Sequence, residues 1–364
     1  MSTKWKTLFV FLAAALLSAG RTAAQEAAGV RYIDASGLTL VGKMMDTPDP
    51  YWRVDTTRFK GFTPTESNQI RCSAGLAVAF RTDSPFILLR CTRRKPYNGP
   101  TTTYMASAGF DLYIREDGRW LWADNLVFKP EEEPSGVLAE EMDGTLHDCL
   151  LYLPIHTELY TLELGFAEGS VAEALENPFR HRIVFSGSSY THGSCSTRPG
   201  MSYPSIFERH TGLQVLPLGC GGNGRLQPYY ADVFCAVEAD AFVFDQFSNP
   251  SADMIRERFF PFLEKIRAAH PGVPIIFQQT IRRERRNFNQ GSEAREAAKM
   301  AVADSVMRIA VQRYPDVYYI RPSADDGTHE WTVDGTHPDD YGYWLWARSI
   351  EKPIRKILRK YGIH

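Results

Sequence analysis

The sequence predicts a chain of two parts, a β-sandwich followed by a layered α/β unit, and three observations carry that prediction. Up to about residue 178 the apolar residues recur with period two. Beyond about residue 180 short apolar runs alternate with helical stripes. The residue types that carry chemistry cluster just after those later runs. At 364 residues, with 44% hydrophobic and 23% charged residues, the chain is long enough for a sizeable core and too apolar for general disorder. Forty-one basic residues against 43 acidic ones give a net charge of −2, which argues against a nucleic-acid partner held by phosphate neutralisation.

In the first part, Leu76 to Phe80 and Phe86 to Arg90 read as strands broken by Thr82-Asp83-Ser84-Pro85. Phe110 to Arg115 and Arg119 to Ala123 flank Glu116-Asp117-Gly118, a hairpin signal. Cys149 to Leu153 and Leu159 to Leu164 add two strands. Short strands with turn signals and no convincing amphipathic helix predict a β-sandwich or jelly roll.

In the second part, strands are predicted at Arg182 to Phe185, Leu213 to Leu218, Ala241 to Phe244, Pro274 to Phe277 and Val317 to Ile320. Ile255, Phe259, Phe262 and Ile266 form a helical stripe that Pro261 should kink or shorten. Ala298, Val302, Ser305 and Ile309 make a second stripe, and Tyr341 to Lys360 a closing helix interrupted by Pro353. Alternating strands and helices imply βαβ units around a parallel sheet, whose active sites lie at the carboxyl ends of strands.

The N-terminus reads as a targeting signal. Lys4 and Lys6 precede the apolar run Leu8 to Ala19, which is short for a bilayer span, and Thr22-Ala23-Ala24 offers small residues for cleavage before Gln25. Cleavage removes Lys4, Lys6 and Arg21 and no acid, leaving 38 bases against 43 acids and a net charge of −5. The expectation is an exported product, periplasmic or secreted, with no membrane insertion after cleavage. The expected division is a signal at 1–24, a β-sandwich domain at 25–178 and an α/β domain at 179–364. Six cysteines in an exported chain permit disulfides, with Cys195 to Cys220 or Cys235 as a guess.

Four loops concentrate the chemistry. Gly187-Ser188-Ser189 follows the first strand of the second part, where a serine hydroxyl on a tight turn would stand above the sheet. Gly219-Cys220-Gly221-Gly222-Asn223-Gly224 follows the next, and its glycines let backbone amides approach a ligand. It lacks the Lys-Ser/Thr of a phosphate loop. Asn249, before Pro250, could turn the chain or donate to a developing oxyanion. Asp334 and His337, three residues apart, can place a carboxylate beside an imidazole. No third and fourth ligand at metal-like spacing accompanies them, so neither metal nor cofactor is expected.

Taken in order, these blocks resemble the SGNH (GDSL-like) hydrolase superfamily over residues 180–360, and the whole chain resembles exported bacterial members with an N-terminal β-sandwich, similar to carbohydrate acetyl esterases. The first block departs from Gly-Asp-Ser by carrying Ser188 in place of the acid, and the third lacks the usual Gly-x-Asn-Asp form. The resemblance implies a flavodoxin-like three-layer α/β/α domain behind a jelly-roll-like one. It implies Ser189 as nucleophile, His337 as base and Asp334 as its orienting carboxylate. Its oxyanion donors are Ser189, Gly222 and Asn249, and its partner an acylated carbohydrate.

Around those blocks, Trp120, Trp122, Tyr229, Tyr230 and Trp331 could stack on sugar rings or belong to the core. The run Arg282-Arg283-Glu284-Arg285-Arg286 could meet carboxylates of an acidic glycan or form a solvated face; Arg282, Arg283 and Trp331 are the substrate-binding candidates. The rival functions are a glycan-binding protein whose hydrolase site has decayed, and a lipid esterase or thioesterase.

Overall fold

A computed structural model describes residues 29–97, 99–129, 132 and 134–364. The proposed signal at 1–24 lies outside the described residues.

Two antiparallel sheets build the first part. Its strands are β1 (Val30–Asp34), β2 (Thr39–Val41), β3 (Ala77–Thr82), β4 (Ile87–Arg93), β5 (Phe110–Glu116), β6 (Arg119–Leu126), β7 (Ser135–Ala139), β8 (His147–Tyr152), β9 (Leu159–Ala167) and β10 (Ala172–Ala174). One sheet runs β1-β9-β4-β7; the other runs β10-β3-β8-β5-β6, with β2 also paired to β3. The strict alternation of β3 and β8 explains their near-continuous apolar sequence. Val78, Phe80, Cys149 and Leu151 face the sandwich core with Ile87, Leu89, Leu162 and Leu164. Ala77, Ala79, Leu150 and Tyr152 are buried on the opposite face. The larger sheet is therefore covered on both sides.

Two short helices, absent from the sequence reading, also lie here: α1 (Pro64–Arg71) and α2 (Tyr104–Ala108). α1 is set by a capping box, Thr63 with Glu66, and by Pro64 in its first turn. That Thr-x-x-Glu pattern was the available signal. With only eight residues, α1 carries too little apolar periodicity to stand out.

The second part is a parallel sheet of β11 (Arg180–Gly187), β12 (Leu213–Gly219), β13 (Ala241–Asp245), β14 (Ile275–Gln278) and β15 (Val317–Ile320), in the order β12-β11-β13-β14-β15. Its helices are α3 (Ser189–His192), α4 (Tyr203–Thr211), α5 (Pro228–Cys235), α6 (Ala252–Ala269), α7 (Gln290–Arg313) and α8 (Asp340–Leu358). α4 and α8 contribute Ile206, Phe207, Trp346 and Ile350 to the core on one face. α5, α6 and α7 contribute Phe234, Phe259, Phe262 and Met307 on the other. This is the expected three-layer arrangement.

The structure corrects several details. α6 runs through Pro261 and α8 through Pro353 without ending. The buried face of α7 is Val302, Ala303, Val306, Met307 and Ala310, whereas Ser305 and Ile309 of the predicted stripe are exposed. All six cysteines are free, so neither guessed pairing of Cys195 forms. Cys195 instead lies 3.3 Å from the Thr101 hydroxyl and Cys235 points at the Lys265 carbonyl.

The two parts are joined by buried polar contacts. Met44, Val54 and Ile70 enter the core beside β12 and α5. Tyr152 donates to the Glu208 carboxyl at 2.9 Å, and the Arg209 guanidinium lies 4.1 Å from the Tyr113 ring centroid.

Candidate active site

Strand order fixes where the site can form. β11 lies between β12 and β13, so the chain leaves it first to one side and later to the other. The crevice at such a reversal, beyond the carboxyl ends, is the usual ligand position of an open α/β sheet. Loops after β11, β12 and β13 and the loop before α8 all end there.

Ser189 opens α3 directly after β11. The turn is tight because Gly187 abuts β13: a Cβ there would lie 2.4 Å from the Asp245 carbonyl oxygen. Ser188 caps the helix, accepting from the Tyr190 N–H at 3.2 Å and donating to Asp245 Oδ2 at 2.5 Å. Ser189 itself is 8% exposed.

His337 reaches the same point from the loop before α8. Its Nε2 lies 3.0 Å from Ser189 Oγ and its Nδ1 2.8 Å from Asp334 Oδ2. Asp334 also accepts the backbone N–H groups of Thr336 at 2.9 Å and His337 at 2.8 Å. Burial alone would raise the Asp334 carboxyl, but hydrogen bonds from the His337 backbone and ring and from Thr336 outweigh it and hold the carboxyl below its usual value. The loop is pinned from outside. Glu284 accepts from the Trp331 N–H and the Thr332 hydroxyl, and the Arg285 N–H donates to the Gly335 carbonyl at 2.8 Å.

The glycine loop after β12 approaches from the other side. A Cβ on Gly221 would stand 3.8 Å from Ser189 Cβ, while Gly222 faces open space with φ +70°. The Asn249 side-chain amide donates to the Asn223 carbonyl, which ties the loop after β13 to this one. An amide carries two N–H donors, so one remains for a ligand. Gln69, at the end of α1, donates to the Gly221 carbonyl at 3.2 Å, so the first part of the chain also borders the crevice.

The substrate-binding candidates fare differently. Trp331 is 1% exposed and part of the core, so it cannot stack on a sugar; it anchors the histidine loop. Arg283 is spent on the Glu296 carboxylate, the Ser248 carbonyl and the Tyr190 hydroxyl, a positioning network beneath the crevice. Arg282 is exposed and paired with Asp325 at 3.1 Å. Among the aromatics, Tyr230 is buried and Tyr229 donates to Glu66. Trp122 is exposed but donates to Asp111.

Two acids went unread in the sequence. Asp245 binds Ser188, Thr191 and Ser248 at the end of β13, and an acid closing a fully apolar strand was its signal. Asp111 is buried on β5, where it accepts from Arg198 at 2.8 Å and the Gly200 N–H at 2.8 Å. It thereby ties the sandwich to the segment after α3, the helix that Ser189 opens. Among the described residues no group of three or more His, Cys, Asp or Glu could hold a metal ion.

A model of the GDSL-like lipase/acylhydrolase family matches residues 180–355. A model of the N-terminal region of SGNH-hydrolase-type esterases matches residues 30–171. Its Gly-x-Asp-Leu-Tyr signature stands here as Gly109 to Tyr113, with Asp111 at its centre. No curated protein matches. Among solved structures, a GDSL-like lipase from Bacteroides ovatus is 36% identical with a TM-score of 0.86, over 91% of this chain and 98% of that one. The salicylyl-acyltransferase SsfX3 of a tetracycline biosynthetic pathway is 18% identical with a TM-score of 0.73, over 90% and 97%. A family two carbohydrate esterase from Cellvibrio japonicus is 13% identical with a TM-score of 0.58, over 91% and 99%; these last two show a shared fold.

Proposed function

The chain belongs to the GDSL-like lipase/acylhydrolase family and is a carboxylic ester hydrolase; from that premise we propose that it removes short acyl groups, acetyl above all, from a carbohydrate through a serine acyl-enzyme. The observation that carries the proposal is the imidazole of His337 held between Ser189 Oγ at 3.0 Å and Asp334 at 2.8 Å.

A serine hydroxyl is a weak nucleophile until an adjacent base accepts its proton. In the proposed reaction His337 Nε2 takes the Ser189 proton as Oγ attacks the ester carbonyl. Asp334 accepts Nδ1–H, which fixes the tautomer and stabilises the imidazolium. The tetrahedral oxyanion is met by the N–H groups of Ser189 and Gly222 and the free amide N–H of Asn249. Each such donor is worth roughly 10²–10³ in rate. His337 then protonates the leaving alcohol, and water repeats the sequence to free the acid and Ser189.

The carbohydrate assignment draws on the fold shared with family two carbohydrate esterases, one of them in complex with cellohexaose, and with an acetyl xylan esterase from Butyrivibrio proteoclasticus. The short-acyl assignment draws on polar neighbours of the glycine loop, Gln69, Asn223 and Asn249, which offer little to a long alkyl chain. Export, argued from residues 1–24, would place the enzyme with such polymers.

The test is hydrolysis of 4-nitrophenyl acetate and octanoate, with acetate release from acetylated xylan, by the parent and by Ser189→Ala. Acetyl ester cleavage that disappears in the variant supports the reading. Parent-level cleavage by Ser189→Ala removes the nucleophile assignment, and a preference for octanoate removes the carbohydrate one.

A further inference from the structure

A concave cavity of about 300 Å³ opens between the segment after β14 and the first turns of α7. Four arginines line it: Arg283, Arg285, Arg286 and Arg295. Two of them are already neutralised. Arg283 bonds Glu296, and Arg286 grips Glu293 with two bonds of 2.6 and 2.7 Å.

The other two are not. The Arg285 side chain makes one hydrogen bond, to the Asp334 carbonyl at 3.0 Å, and that of Arg295 one, to the Ser292 hydroxyl at 3.1 Å. Among the described residues neither has a carboxylate within ion-pair distance. Two guanidinium groups with no carboxylate partner in one concavity keep most of their fixed N–H forks open, the geometry that receives a carboxylate in two parallel bonds.

The cavity is placed for the reaction. Thr336 lines it and directly precedes His337. Arg283 reaches from it to the hydroxyl of Tyr190, the residue after Ser189, at 3.1 Å. An anionic group seated there borders the loop that carries His337. Phe288, on the same segment, is 98% exposed and offers a free aromatic face to a sugar ring.

We propose that, with Ser189 as nucleophile, Arg285 and Arg295 form a subsite for the carboxylate of an acidic sugar, so that the preferred substrate is an acetylated uronate-containing glycan. The reading depends on the hydrolase assignment above, and the experiment separates the two. Acetylated polygalacturonate is prepared in two forms, with its carboxylates free and with them methyl-esterified. Acetate release is measured for the parent, for the Arg285→Gln/Arg295→Gln double variant and for the Arg285→Lys/Arg295→Lys variant. 4-Nitrophenyl acetate hydrolysis is followed alongside.

The parent should cleave the free-acid polymer with kcat/KM at least ~10-fold above that for the methyl ester, mostly through KM, as expected for a charge-assisted contact. The double glutamine variant should bring that ratio close to one, the lysine variant should keep part of it, and added NaCl should narrow it. A parent ratio near one overturns the subsite, and so does a parent-like ratio in the double glutamine variant. Hydrolysis of 4-nitrophenyl acetate with neither polymer cleaved also overturns it while leaving the hydrolase reading intact. Loss of the hydrolase reading itself would show instead as undiminished activity in Ser189→Ala.

Discussion

Asp245 accepts the Ser188 hydroxyl at 2.5 Å, so the residue before the proposed nucleophile is fixed by the strand next to its own. The same carboxylate binds Thr191 and Ser248, and Ser248 is the neighbour of Asn249. One buried acid therefore sets the spacing between the Ser188-Ser189 turn and the loop that carries Asn249. Asp245→Asn replaces one acceptor oxygen by a donor facing hydroxyl groups. Small displacements of reacting groups cost up to about 10² in rate, so kcat on 4-nitrophenyl acetate should fall by roughly 10 to 10² with KM little changed. A kcat within twofold of the parent would show that the carboxylate acts on stability alone.

Asp334 makes a different prediction because it touches His337, the proposed base, directly. Its carboxyl is held below the usual range, so its contribution to stability is present above the unfolded pKa and is lost only as pH falls through the lowered folded value. Across neutral pH it stays ionised and accepts Nδ1–H. Asp334→Asn would offer an N–H to Nδ1 and favour the tautomer that cannot take the serine proton. The loss in kcat should be about 10⁴, the size seen when a triad loses its tautomer control, with the melting temperature changed by a few degrees at most. Steady-state kinetics beside a thermal melt checks both.

Glu208 gives a pH test of the contact between the two parts. It is fully buried, and burial pushes its carboxyl up to about 8, against the Val215 N–H, the Tyr152 hydroxyl and the Arg209 charge that favour ionisation. A raised folded pKa means that the stability it confers is complete below the unfolded carboxylate value and is lost as pH rises toward 8. The slope is on the order of 1 kcal/mol per pH unit for one proton. Glu208→Gln cannot ionise, so its melting temperature should fall less than the parent's between pH 5 and 8. Parallel melting curves for the two proteins would rule this out.

Legibility in the sequence followed the range of the signal. The strands of both parts stand out because β3, β8, β11 and β13 alternate or run apolar over five to eight residues. The meeting of Ser189, Asp334 and His337 at one sheet edge was legible because tight turns and a short Asp-x-x-His spacing are local. The roles of Arg283 and Trp331 were not, because the partners that commit them, Glu296, Tyr190 and the core under the histidine loop, come from distant segments. α7 misled for another reason. Alanines on all sides blur the apolar stripe, so its phase is set by packing on α6 and β15. Pro261 and Pro353 did not end their helices because the surrounding packing outweighs one lost hydrogen bond.

Arg53 supplies the last prediction, on how the two parts depend on each other. Its guanidinium is fully buried and donates to the carbonyls of Cys72 at 2.9 Å, Gln69 at 2.5 Å and Gly219 at 3.1 Å. Two of these belong to the end of α1, and the third opens the glycine loop beside Ser189. Arg53→Met keeps much of the stem volume and removes every donor; the Gly219 and Gln69 carbonyls keep the His192 ring and the Cys72 N–H, so the Cys72 carbonyl is the one left unpaired, at about 1–3 kcal/mol. The variant should melt a few degrees lower, in one transition, because the bonds it loses span both parts. Its kcat should fall with little change in KM, since the loop carrying Gly222 loses an anchor. A melt in two steps, with only the first shifted and kcat intact, would show that Arg53 serves the sandwich and not the site.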